Sequence, residues 1–110
     1  MTFWGIELKK GTSVIYDPRF NKVKGKLRVT KACFGVGTIT SRCLVECRLR
    51  GQIPIVLCCL DMPGAGRSNM CSLDIEFGLD DGEVQFSIND DCGNFNESNS
   101  VFLSGYIVEK

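Results

Sequence analysis

Hydrophobic positions along this chain recur at every second residue. In RCLVECRLR, 42–50, Cys43, Val45, Cys47 and Leu49 fall on one side, and Glu46, Arg48 and Arg50 on the other. In CSLDIEF, 71–77, Cys71, Leu73, Ile75 and Phe77 oppose Ser72, Asp74 and Glu76. In EVQFSI, 83–88, Val84, Phe86 and Ile88 oppose Glu83, Gln85 and Ser87. Successive side chains leave a β-strand on opposite sides, so this repeat predicts strands with one face in a core and one in water. No segment carries an apolar stripe at helical spacing. Stretches rich in Gly, Asp, Asn and Pro punctuate the chain at 9–12, 17–25, 50–52, 61–69, 79–82 and 89–99. Between them lie about eight short runs: 3–8, 13–16, 26–34, 42–50, 53–60, 70–77, 83–88 and 101–108. This spacing predicts an all-β sandwich, jelly roll or barrel.

Three runs are apolar on both sides. IPIVLCCL, 53–60, has no polar face. In VFLSGYIV, 101–108, Val101, Leu103 and Ile107 oppose Phe102, Tyr106 and Val108. FWGIEL, 3–8, sets large apolar groups on either side of a strand near the amino end, where a solvated tail is the usual choice. A two-layer sandwich has a single interior. The second face of each run therefore meets a loop folded across it or another copy of the chain, or stands open as an aggregation-prone patch. Contact between copies is the preferred resolution, with Trp4, Ile6, Ile53, Ile55, Leu57, Phe102 and Tyr106 as candidate interface residues.

Composition narrows the class. With 110 residues, 44% apolar and 24% charged, the chain reads as one globular domain, 1–110. It has no apolar run long enough for a membrane-spanning helix, and no secretory signal pattern opens it. The formal net charge of zero hides a separation: residues 1–60 hold eleven Lys/Arg against three Asp/Glu, and residues 61–110 hold two against ten. Either the molecule has faces of opposite sign or folding interleaves the halves. The seven cysteines read as free thiols acting as small core hydrophobes. No Cys-x-x-Cys and no histidine occur, and Cys43 and Cys47 would stand roughly 13 Å apart on a strand, so no metal site is expected.

FWGIEL, then ACFG, then IPIVLCCL, then SGYIVEK after a Gly-containing polar loop resemble, in order, the landmarks of nucleoplasmin-like domains. That family opens with a Trp-Gly-x-Glu-Leu strand, has a Leu-Gly-type strand end and a Pro-Ile/Val-rich central strand, and closes on a return strand reading Leu-Ser-Gly. The start FWGIELKKG is similar to the plant branch, the amino-terminal domains of nuclear FKBP-type immunophilins and HD-tuin proteins. The resemblance implies an eight-stranded antiparallel jelly-roll β-sandwich, a cyclic pentamer, a histone chaperone role with core histones as partners, and a nuclear location. It also implies a longer chain, with an acidic linker and a prolyl isomerase domain downstream. Animal members carry a Lys-Asp-Glu turn where rings meet. Here the stretch reads VGTITSR, which puts ring-on-ring decamers in doubt. The loop 17–26 is basic rather than acidic.

The chemistry argues against an enzyme in this domain. Without histidine there is no Ser-His or Cys-His pair. The glycines at 35–37 and 64–68 open no helix and read as turns, and no cofactor is expected. The deacetylation attributed to HD-tuins has no metal ligands here to support it. What remains is charge. Asp80, Asp81, Glu83, Asp90, Asp91 and Glu97 stand on connections, and their repetition around a ring would draw basic core histones. The alternative is a structural oligomerisation scaffold for an attached FKBP-type prolyl isomerase domain. Lys22, Lys24, Lys26, Arg28, Lys31, Arg48 and Arg50 lack interleaved aromatics, so nucleic acid is reached only indirectly, through chromatin.

Overall fold

A computed structural model describes residues 2–9, 11–20, 25–34, 42–61, 70–89 and 100–109. Eight strands follow in chain order: β1 (Thr2–Lys9), β2 (Ser13–Tyr16), β3 (Gly25–Phe34), β4 (Arg42–Leu49), β5 (Ile55–Asp61), β6 (Met70–Phe77), β7 (Val84–Asn89) and β8 (Ser100–Glu109). Two single-turn 3₁₀ segments, Pro18–Phe20 and Leu79–Asp81, are the only helical pieces among the described residues. The alternating runs become these strands with ends displaced by two residues at most. The runs 13–16 and 70–77 coincide with β2 and β6.

The strands form two four-stranded antiparallel sheets, β1-β8-β3-β6 and β2-β7-β4-β5. The pairing is nested: β4 with β5, β3 with β6, β2 with β7, β1 with β8. This is a long hairpin bent at the β4–β5 turn and rolled so that alternate strand pairs fall in alternate sheets, the jelly-roll arrangement. Gly51, at φ 74°, supplies the left-handed residue that the tight β4–β5 connection needs.

Between the sheets lies one core. Leu8, Leu27, Val29, Ala32, Val101, Leu103 and Ile107 come from the first sheet; Val45, Leu60, Val84 and Phe86 come from the second. Aromatic rings tie the layers together. Phe86 meets Trp4 at 5.6 Å between centroids and Phe77 edge-on at 5.6 Å, and Trp4 meets Tyr16 edge-on at 6.1 Å. Trp4 is thus anchored at the amino end by rings of the opposite sheet, a favourable geometry for aromatic pairs.

The strand β3 carries a bulge between Val29 and Lys31 against both neighbours. There β8 presses its backbone against β3. A Cβ at Gly105 would stand 1.9 Å from the Arg28 carbonyl oxygen, so only glycine fits. The Leu-Ser-Gly stretch of the return strand therefore has a steric reason.

The nested pairing also decides the charge question. Basic β3 lies beside acidic β6, and Arg28 reaches Asp74 with its Nε at 2.8 Å and its NH2 at 2.6 Å. The halves interleave on the outer face of the first sheet. Of the cysteines, Cys43 and Cys47 are buried, Cys33, Cys58 and Cys71 are half-buried, and Cys59 is exposed, all as free thiols. No group of three metal-ligating side chains occurs among the described residues.

Candidate functional site

The acidic turn 78–83 connects β6 to β7. Its shape comes from its own sequence. The backbone N–H of Gly78 donates to Asp81 Oδ2 at 2.7 Å, the Asp81 N–H donates to the Gly78 carbonyl at 3.1 Å, and the Gly82 N–H donates to the Leu79 carbonyl at 3.2 Å. Gly82 ends the turn at φ 69°. Asp81 is therefore committed in part to holding the turn, while Asp80 projects into solvent and Glu83 is half-buried.

A second charged turn lies beside it, because Tyr16 pairs with Val84 in the β2–β7 ladder. Here Asp17 and Arg19 form an ion pair of 2.6 Å, with Arg19 Nε at 3.0 Å from Asp17 Oδ1. The Arg19 guanidinium lowers the Asp17 carboxyl below its ordinary value, and the charge of Arg50 adds to the effect. The charge of Glu83 in turn reinforces Arg19, which stacks over Phe20 at 5.4 Å. This end of the sandwich is thus a mixed field: Asp17, Asp80, Asp81 and Glu83 with Arg19 and Arg50. Two shallow depressions flank it, one lined by Ile15, Tyr16, Asp17 and Phe20, the other by Gly25, Lys26, Gly78, Leu79 and Asp80.

The chain leaves β7 at Asn89, roughly 17 Å along the strand from Val84. Asp90, Asp91 and Glu97 lie outside the described residues. The acidic turn and that loop are thus joined to opposite ends of β7.

The candidate interface residues fall into three groups. Trp4 and Ile6 turn inward on β1, half-buried against the core. Phe102 and Tyr106 lie on the outer face of β8, where Phe3 is paired with Tyr106 and is 95% exposed. With Val108 they make an apolar stripe along the β1–β8 side. Ile53, 79% exposed, Ile55 and Val56 lie at and just before the β5 edge, while Leu57 packs partly against the core. Contacts between β1 and β2 and between β5 and β6 align the two sheets, so the stripe and the β5 edge occupy opposite flanks. Phe3, Val56 and Val108 escaped the list of candidates. Alternation within FWGIEL already sets Phe3 opposite Trp4. Val56 turns outward because the β4–β5 register shifts between Val45 and Glu46.

The model of the nucleoplasmin-like domain matches residues 3–108. The chain belongs to the nucleoplasmin-like family. It is similar to the peptidyl-prolyl cis-trans isomerase FKBP53 of Arabidopsis thaliana, 34% identical over 107 residues that make up 97% of this chain and 20% of that protein. It spans about a fifth of the length of that relative. Its fold is similar to that of the Drosophila NLP core, a crystal structure bearing on pentamer formation and histone binding in that protein. The TM-score is 0.72 at 22% identity, covering 99% of this chain and 98% of that one. The nucleoplasmin-like jelly roll read from the sequence is the observed fold.

Proposed function

We propose that this domain closes head to tail into a pentameric ring and acts as a histone chaperone module. The carrying observation is the pair of unlike apolar surfaces on opposite flanks: Phe3, Phe102, Tyr106 and Val108 on one, Ile53, Ile55 and Val56 on the other. Two different patches that meet repeatedly generate a ring when the rotation closes. The likeness to the NLP core supports five copies and a histone ligand. In the ring, Asp80, Asp81 and Glu83 recur with the symmetry and, with Asp90, Asp91 and Glu97, draw core histones by long-range electrostatics. Kinship to a plant FKBP supports a nuclear location. The domain itself is not an enzyme; isomerase chemistry belongs to a separate region of such a relative.

Light scattering of the native assembly tests the ring, and a monomer at micromolar concentration refutes it. A salt titration of core histone binding tests the contact, which should weaken steeply as salt screens it. The small share of the FKBP relative that the chain spans favours a second reading, a scaffold that gathers copies of an attached isomerase domain. Replacing Asp80, Asp81, Asp90 and Asp91 by Asn abolishes histone retention in the first reading and changes nothing in the second. Asn at 81 retains a side-chain oxygen for the Gly78 N–H.

A further inference from the structure

We propose that Cys58 and Cys71 are a modification site, a dithiol that a peroxide converts into a disulfide stapling β5 to β6, the outermost described strands of the two sheets on that flank. Cys58 stands on β5, the edge of the second sheet, and Cys71 on β6, the edge of the first. These edges border the same flank and approach within 8 Å at Cα positions. Both side chains face inward: Cys58 is registered with buried Val45, and Cys71 with buried Ala32. Both thiols pack against the core while remaining partly open to solvent, and Cys71 is among the neighbours that act on the Cys58 thiol. A disulfide requires facing Cβ vectors and Cα atoms roughly 4.4–6.8 Å apart, a closure that two adjoining edge strands can make. Cys59 has the opposite orientation, registered with Leu44.

The two thiols have different roles. Burial, and after it the neighbouring Cys71, push the Cys58 thiol up to about 12, which makes Cys58 the less ready of the two to meet peroxide. Cys71 is therefore the thiol that meets the oxidant. Its sulfur attacks one peroxide oxygen, the O–O bond breaks, and Cys71 becomes a sulfenic acid as the first water leaves. The Cys58 sulfur then displaces the hydroxyl from that sulfenic sulfur, and its proton departs in the second water. Two thiols lose two electrons and two protons, and one hydrogen peroxide becomes two waters.

Hydrogen peroxide treatment of the whole chain, followed by non-reducing mass spectrometry, tests this. Trypsin cuts after Arg50 and Arg67, which leaves Cys58 with Cys59 and Cys71 with Cys92. A Cys59→Ser/Cys92→Ser background removes that ambiguity, and fragment spectra of the unaltered chain answer the same question independently. The expected result is the loss of two free thiols per chain and a Cys58–Cys71 cross-link reversed by dithiothreitol. The oxidised protein also melts at higher temperature than the reduced one. In Cys58→Ser, Cys71 stops at the sulfenic acid and is captured by dimedone. Retention of both thiols under peroxide, a cross-link to any other cysteine, or a bond between chains overturns the proposal.

Discussion

The strands β5 and β8 share one sequence signature, apolar residues on both faces, and meet different fates. Flanked by β1 and β3, β8 keeps its inner residues Val101, Leu103 and Ile107 almost wholly dry, and its outer residues form a separate surface. At the rim of its sheet, β5 has a bulge in its ladder with β4, its one partner among the described strands. Even inward-registered Ile55 is half open to solvent there. The two faces of a central strand are separate environments. At an edge, a third opening exists beside them, because one row of backbone groups has no neighbouring strand among the described residues.

The sharpest way to break this contrast is Gly105→Ala in β8. The added methyl collides with the Arg28 carbonyl, so a loss of roughly 4 kcal/mol in urea unfolding is expected. Gly5→Ala, whose methyl would meet only Leu103 O at 3.7 Å, is the tolerant control on the neighbouring strand. An equal response of the two would show that the close β3–β8 approach imposes no constraint. Next, Leu103→Ala should cost about 3 kcal/mol against about 1 kcal/mol for Ile55→Ala in protomer unfolding. The second substitution should instead weaken assembly, read by sedimentation; equal costs would erase the distinction between centre and edge. Smaller still is a pH effect. Asp17 titrates below its ordinary value in the folded chain, so its contribution is present above the unfolded carboxylate value and vanishes as pH falls through the folded one. Asp17→Asn should flatten that part of the acid unfolding profile. Smallest is Arg28→Ala: the pair with Asp74 is open to solvent, and the melting midpoint should barely move.

The strands were legible because alternation is a local property. Val101, Leu103 and Ile107 go inside and Phe102 and Val108 outside, as their spacing requires. What escaped the sequence depends on pairing across long separations. The bulge at Val29/Lys31 breaks the phase of RVTKACF, and only the neighbours β6 and β8 define it. The opposed charges of the two halves fitted either distinct faces or interleaving, and nesting decides for the second here: it sets β3 beside β6 and lets Arg28 find Asp74, 46 residues away. In the candidate site, Asp80, Asp81 and Glu83 were recognisable as turn acids. The capping duty of Asp81 and the Asp17–Arg19 neighbour were not, since the first needs the turn geometry and the second the β2–β7 register.

Pairing of β1 with β8 puts Thr2 opposite Ile107. The start of β1 and the last rungs of the β8 ladder therefore lie side by side at the same pole. A short bridge could join them and a new opening be cut elsewhere, giving a circular permutant with the same core. Cargo attached beyond β1 or beyond β8 would depart from one side of the sandwich.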